Sequence, residues 1–216
     1  MLILGYTKRL TAWLFFIILL FFTFLTGFTY LTGFVPAEAN FFDFAKWGPY
    51  VKTQMRVTDC GCFGDFNNDG YADVYVINGG TNGNMVKFLY MNNGNGTFTR
   101  TTTGAVVTDL SGAWGAATAD YDNDGKLDIF VSNFNQNNFL YKGNGDGTFT
   151  KITSGNIVSD GGGSIGCSWC DYDNDGYRDL FVANANFSSG QANFLYKNNG
   201  NGTFTKISSG NIVTDV

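Results

Sequence analysis

Histidine is missing from all 216 residues. That absence removes Ser-His-Asp and Cys-His catalysis and any His-ligated zinc. Glutamate is nearly missing too, since 17 of the 18 acidic residues are Asp and only Glu38 is not. A solvating acidic surface would mix the two types. Proline occurs twice against 29 glycines, and aromatic residues make up 17% of the chain. This composition fits an all-β chain rich in tight turns rather than a disordered one. No GxxxxGK[ST] phosphate loop is present, and the 13 Lys and Arg do not cluster. Nucleic acid is therefore not an expected partner.

The one long apolar run lies at the N-terminus. Lys8 and Arg9 precede an apolar stretch over residues 12–35, followed by "PAEA". A basic start, an apolar middle and Ala37 and Ala39 in an A-x-A arrangement describe a secretory signal peptide cleaved before Asn40. The rival reading is a retained anchor, because a run of ~20 residues spans a bilayer. The two basic residues would keep the N-terminus inside and send the remainder out. Either way residues 40–216 leave the cytoplasm, and any membrane contact is confined to residues 12–35.

The remainder is repetitive. "DFNNDGYADVYV" (65–76), "DYDNDGKLDIFV" (120–131) and "DYDNDGYRDLFV" (171–182) are each followed by "FLY" and an Asn-Gly- or Asp-Gly-rich hairpin ending in "GTFT". "TGAVVTD", "SGNIVSD" and "SGNIVTD" close the copies. From Asp65 to Asp120 to Asp171 the period is 55 and then 51 residues. Such periods signal propellers or stacked arrays. All the length variation sits between the "D-x-x-V" run and "FLY". The expected division is 1–39 leader or anchor, 40–57 linker or lead-in strand, then repeats over 58–109, 110–160 and 161–216.

Each repeat reads as four short strands. One precedes the acidic loop, as in "GAATA". The others are the run after the loop, "FLY", and the stretch beginning "TFT". Ile129, Phe130 and Val131 are apolar at consecutive positions, so both faces of that strand must be covered. Small twisted sheets stacked about an axis make a β-propeller.

Eleven aspartates fall in the three acidic strings. Crowded carboxylates repel, so a cation is implied. The spacing D-x-[DN]-x-D-G-x-x-D places side-chain oxygens at positions 1, 3, 5 and 9, with a carbonyl available at position 7. Calcium takes six to eight oxygens, some from the backbone. The expected ligands are Asp65, Asn67, Asp69, Tyr71 and Asp73; Asp120, Asp122, Asp124, Lys126 and Asp128; and Asp171, Asp173, Asp175, Tyr177 and Asp179. Tyr71, Lys126 and Tyr177 enter by their carbonyls. The first loop has one carboxylate fewer and is expected to bind most weakly. An EF-hand is excluded, because position 12 is Val76, Val131 or Val182 instead of Glu. Over residues 40–216, 11 basic residues against 17 aspartates leave −6, which about three Ca2+ would cancel.

These loop, strand and hairpin strings resemble FG-GAP/VCBS repeats, the calcium-binding blades of integrin α-subunit propellers and of many secreted bacterial proteins. The resemblance covers roughly residues 58–216. It implies structural Ca2+ in the loop between two strands of each blade. It also implies a role in adhesion, ligand binding or cell-surface display, with a protein or glycan ligand. Propellers close with 4 to 8 blades, in this family usually about seven. Three blades make an incomplete ring, so either the sequence is a fragment of a longer propeller or other copies complete the arc, and in the second case self-assembly through open blade edges into filaments is the expectation. The expected architecture is thus all-β, with three propeller-type blades behind an N-terminal hydrophobic helix.

The four cysteines, Cys60, Cys62, Cys167 and Cys170, suit disulfides in an exported chain better than zinc. Asn95, Asn186 and Asn201 open N-x-[ST] sequons, and Asn95 and Asn201 also suit hairpin turns. Phe134 and Phe187 lie in the variable loops, where they either stack on sugars or pack beneath the loop. Catalysis is not expected. An enzyme or lectin acting on polysaccharide is the alternative, and an enzyme would need paired carboxylates outside the acidic strings. Only Asp43, Asp59, Asp109, Asp146, Asp160 and Asp215 remain, and Asp109, Asp160 and Asp215 recur at one repeat position.

Overall fold

The computed structural model describes residues 58–79, 85–186 and 190–215. The leader or anchor over 1–39, with its apolar run 12–35, and the lead-in over 40–57 lie outside the described residues. Phe187 does too. Among the described residues no helix is long and apolar enough to cross a membrane.

The first repeat is β1 (Thr58–Gly64), β2 (Asp73–Asn78), β3 (Phe88–Asn92), β4 (Phe98–Thr101) and a one-turn helix α1 (Ala105–Thr108). The second is β5 (Ala113–Ala119), β6 (Asp128–Asn137), β7 (Phe139–Gly143), β8 (Phe149–Ile152) and α2 (Asn156–Ser159). The third is β9 (Gly161–Cys170), β10 (Asp179–Asn184), β11 (Phe194–Asn198), β12 (Phe204–Ile207) and α3 (Asn211–Thr214). Within each repeat, consecutive strands pair antiparallel, as the four-strand reading expects. The fold is all-β in architecture, with propeller-like repeats.

Consecutive apolar residues in the second strand are buried on both sides because strand side chains alternate. Ile129 and Val131, with Tyr141, pack on Phe66, Tyr75, Ile77, Leu89, Val106 and Val107 of the first repeat. Phe130 points the other way. With Tyr121, Leu140, Ile157 and Val158 it meets Leu180, Val182, Phe194 and Tyr196 of the third. Each such side chain contributes about 1.5–3 kcal/mol by leaving water. The helices α1 and α2 supply the two-valine and Ile-Val pairs of these clusters and pack against β8 and β12, strands of the following repeat.

The seams between repeats differ. β6 runs on past its own partner, and its far end pairs with the start of β9, Phe134 with Gly163 and Asn137 with Gly161. Repeats two and three therefore share one eight-stranded sheet. Among the described residues, the corresponding strand pairing between repeats one and two is the bridge Met85–Ser111. The second repeat has the short variable loop, so its strand continues directly where the others depart. Gly163 is required at the seam, because a Cβ there would run into the Ala185 carbonyl oxygen.

Candidate metal centre

The acidic loops join the first and second strands of each repeat, and all three are folded alike. The carboxylate at position 1 accepts two backbone N–H groups. In the second loop Asp120 accepts from Asp124 at 3.0 Å and Gly125 at 2.8 Å. Asp65 takes Asp69 and Gly70, and Asp171 takes Asp175 and Gly176, in the same way. Position 5 then accepts the N–H of position 7: Asp69 from Tyr71, Asp124 from Lys126, Asp175 from Tyr177. Two residues per loop are left-handed. Asn68, Asn123 and Asn174 have φ between 57° and 59°, and Gly125 has φ 81°. Asn tolerates that region better than most residues and Gly occupies it freely, which accounts for the "N-D-G" in each string.

Position 9 is buried and braces the loop against the sheet. Asp128 accepts the N–H of Tyr121 at 3.0 Å and of Gly143 at 2.8 Å. Asp73 accepts Phe66 and Asn92, and Asp179 accepts Tyr172 and Asn198. Burial pushes the Asp128 carboxyl up to about 7, although both N–H groups pull it down. Burial raises Asp73 and Asp179 in the same direction.

The carboxylates converge in two loops. Oxygens of Asp120, Asp122 and Asp124 lie within 4.8 Å of one another, as do those of Asp171, Asp173 and Asp179. At that distance each like-charged pair costs roughly 3 kcal/mol at an effective dielectric near 20. The two groups differ in membership, with position 5 in the second loop and position 9 in the third. In the first loop Asn67 stands at position 3, and its amide donates to Asp69 Oδ2 at 2.8 Å. Among the described residues no three-carboxylate group forms there.

The donor set suits a hard divalent ion. Asp122 Oδ1 is buried and has no hydrogen-bond donor. A buried carboxylate oxygen without a partner is expensive, and a cation beside it removes the expense. Calcium bound by these oxygens would supply the balancing charge and tie the loop to itself.

Two residues here were not singled out from the sequence. Lys142 bridges Asp122 and Asp124, the latter at 3.1 Å. Lys197 bridges Asp173 and Asp175, the latter at 3.0 Å. Both follow the tyrosine of "FLY" on the third strand, where the first repeat has Met91. The hydrogen bond to Asp122 raises the Lys142 pKa, and the bonds to Asp173 and Asp175 raise that of Lys197. These ammonium groups occupy charge that a cation would need. Lys142→Met and Lys197→Met are therefore expected to tighten calcium binding about 3- to 10-fold, since a competing bound state lowers apparent affinity by its share of the population. Isothermal titration calorimetry measures this; weaker binding in both variants would show that the lysines assist the site.

The aspartates outside the loops have other work. Asp109 Oδ2 accepts from Tyr141 Oη at 2.9 Å and Lys151 Nζ at 2.7 Å. Asp160 Oδ2 accepts from Tyr196 Oη at 3.0 Å and Lys206 Nζ at 2.9 Å. Each of these aspartates ends one repeat and is held by the next. Asp146, Asn95 and Asn201 take the N–H and hydroxyl of the Thr two residues on, shaping the hairpin turns. Phe134 packs against Trp114, with ring centroids 5.4 Å apart.

All four cysteines are free thiols in this structure, which shows no disulfide. Cys60 and Cys62 are two apart on one strand, and Cys167 and Cys170 are three apart on another, so neither adjacent pair faces itself across a bond. Burial pushes the Cys62 thiol up to about 12, and Cys60 and Cys167 push the same way.

Stacked four-stranded repeats with an acidic loop between first and second strands define a propeller-like repeat protein. The FG-GAP-like repeat family matches residues 65–131, 120–182 and 171–215, and the chain belongs to that family. Cartilage acidic protein 1 of Mus musculus is 34% identical over 120 residues, covering 54% of this chain and 18% of the mouse protein. The chain thus spans under a fifth of that relative's length.

Proposed function

We propose that this chain is a secreted or surface-tethered calcium-binding protein whose three repeats are blades of an incomplete β-propeller. It acts by binding, in adhesion or extracellular assembly, and not by catalysis. The ligand sets are those of positions 1, 3, 5 and 9 with the position 7 carbonyl in each loop, three ions in all. The buried, donor-free Oδ1 of Asp122 among converging carboxylates carries this reading. Family membership supports an extracellular setting and a protein or glycan ligand at the cell surface. The engagement of Asp109, Asp146 and Asp160 in structural contacts supports the non-catalytic role.

Calcium titration followed by calorimetry is expected to give about three ions per chain, with the Asn67 loop filling last. Asp122→Asn should remove one of the tighter ions and leave the other two. Absence of calcium binding in the wild-type chain at millimolar concentration would overturn the proposal, and so would turnover of oligosaccharides by the purified protein.

A further inference from the structure

A cavity of about 440 Å3 opens between the second and third repeats, at the end where the acidic loops lie. That volume suits a small ligand. The same place on the first seam is closed by a leucine. Leu127 stands at position 8 of its loop, and a Cβ added to Gly64 would lie 2.9 Å from its Cδ1. Leu127 packs in this way on the core shared with the first repeat. On the second seam position 8 is Arg178, and the counterpart of Gly64 is Ala119. Arg178 is exposed, lines the cavity and pairs with no carboxylate among the described residues. A cation thus replaces an apolar plug without a partner that would compensate it. Uncompensated departures from a fold's own pattern are where function is expected.

Trp169 is the second departure. It stands two residues before its acidic loop, where the other repeats have Phe63 and Thr118, and it also lines the cavity. Its indole stacks on Tyr121 with centroids 6.1 Å apart, and its N–H donates to the Ala117 carbonyl at 3.4 Å. These contacts fix the ring as a flat apolar wall. Two polar groups join the lining. The Asn123 amide donates to the Gly176 carbonyl at 3.1 Å, which leaves its Oδ1 to accept. The Thr118 hydroxyl donates to the Phe63 carbonyl at 3.2 Å and keeps lone pairs to accept. Asp120 borders the cavity too, with its carboxylate taken up by the N–H groups of Asp124 and Gly125.

We infer that this cavity binds an acidic sugar, a hexuronate unit of an anionic glycan, with the carboxylate on Arg178 and the ring against Trp169. The planar guanidinium matches a carboxylate through two parallel N–H bonds. A pyranose ring presents one face of C–H groups, apolar enough to cover an indole, while its hydroxyls donate to Asn123 and Thr118. With the Asp120 charge close by, a singly charged carboxylate is favoured over a dianion such as phosphate. The inference deepens the glycan-binding role proposed above and rests on that reading. Arg178 and Trp169 stand outside the proposed calcium ligand sets, so the two sites are tested separately.

Calorimetric titration of the full chain with glucuronate, in calcium buffer, is the test. Wild type should bind it, and should bind glucose about 10-fold more weakly, because the charged hydrogen bonds are missing. Arg178→Gln should bring glucuronate down to the level of glucose. Arg178→Lys should recover part of the preference, as a point charge without the fork. Arg178→Leu should abolish binding of both sugars by filling the cavity as Leu127 fills its counterpart, with a Tm no lower than wild type. All three variants should bind calcium as wild type does. Wild type that binds calcium but not glucuronate overturns this inference alone, and wild type that binds glucuronate but not calcium overturns the cation reading alone. Equal binding of glucose and glucuronate overturns the inference, as does glucuronate binding that survives in Arg178→Leu. Acetate or glucose 6-sulfate that displaces glucuronate at equal concentration reveals a general anion site and overturns the sugar assignment.

Discussion

EDTA added to the calcium-loaded protein is expected to lower its Tm by roughly 16–32 °C. A ligand at a hundred times its Kd stabilises the folded state by about 2.7 kcal/mol, and three independent sites give about 8 kcal/mol. In a domain of this size each kcal/mol moves Tm by about 2–4 °C. Part of the effect is relief of repulsion among Asp120, Asp122 and Asp124 and among Asp171, Asp173 and Asp179. Lys142 and Lys197 relieve some of it without metal, so the chain is expected to stay folded in EDTA at room temperature. Differential scanning calorimetry with and without chelator measures the shift. An unchanged Tm would remove the cation from the account of the fold.

The second large effect is expected at position 9 and persists when the cation is removed. Asp128→Ala strands the N–H groups of Tyr121 and Gly143. Each unsatisfied buried donor costs about 1–3 kcal/mol, so the variant should lose about 2–6 kcal/mol. The loss should persist in EDTA, in contrast to Asp122→Asn, whose deficit should vanish there. Asp128→Asn should fall between, because its amide keeps one acceptor and turns a donor toward the other N–H. Urea unfolding of the three variants, with and without EDTA, separates brace from ligand. A deficit in Asp128→Ala that disappears with chelator would mean that the residue serves mainly as a ligand.

The strands and loops were legible because their signals are local and repeated. "DIFV" announces a strand covered on both faces, and Ile129, Phe130 and Val131 are each fully buried. The spacing of the acidic string announces a tight loop, and Asn123 and Gly125 within it adopt left-handed backbone. The one-turn helices were not legible. "NIVS" is four residues long, too short for helical periodicity, and its β-branched residues favour strand. Lys142 and Lys197 were missed because they lie 20 and 24 residues from the carboxylates they hold, and strand pairing alone brings them there. The dual role of Asp128 was also hidden, since a spacing rule treats position 9 as one more ligand and says nothing of the two N–H groups behind it.

The uneven seams carry a mechanical meaning. Where β6 meets β9, separating the second and third repeats means shearing several ladder bonds together. Between the first and second, the backbone links among the described residues are the bridge at Met85 and Ser111 and the hydrogen bond from the Gly147 N–H to the Phe66 carbonyl. A pull along the chain would separate the leading repeat before the trailing two, which share one sheet.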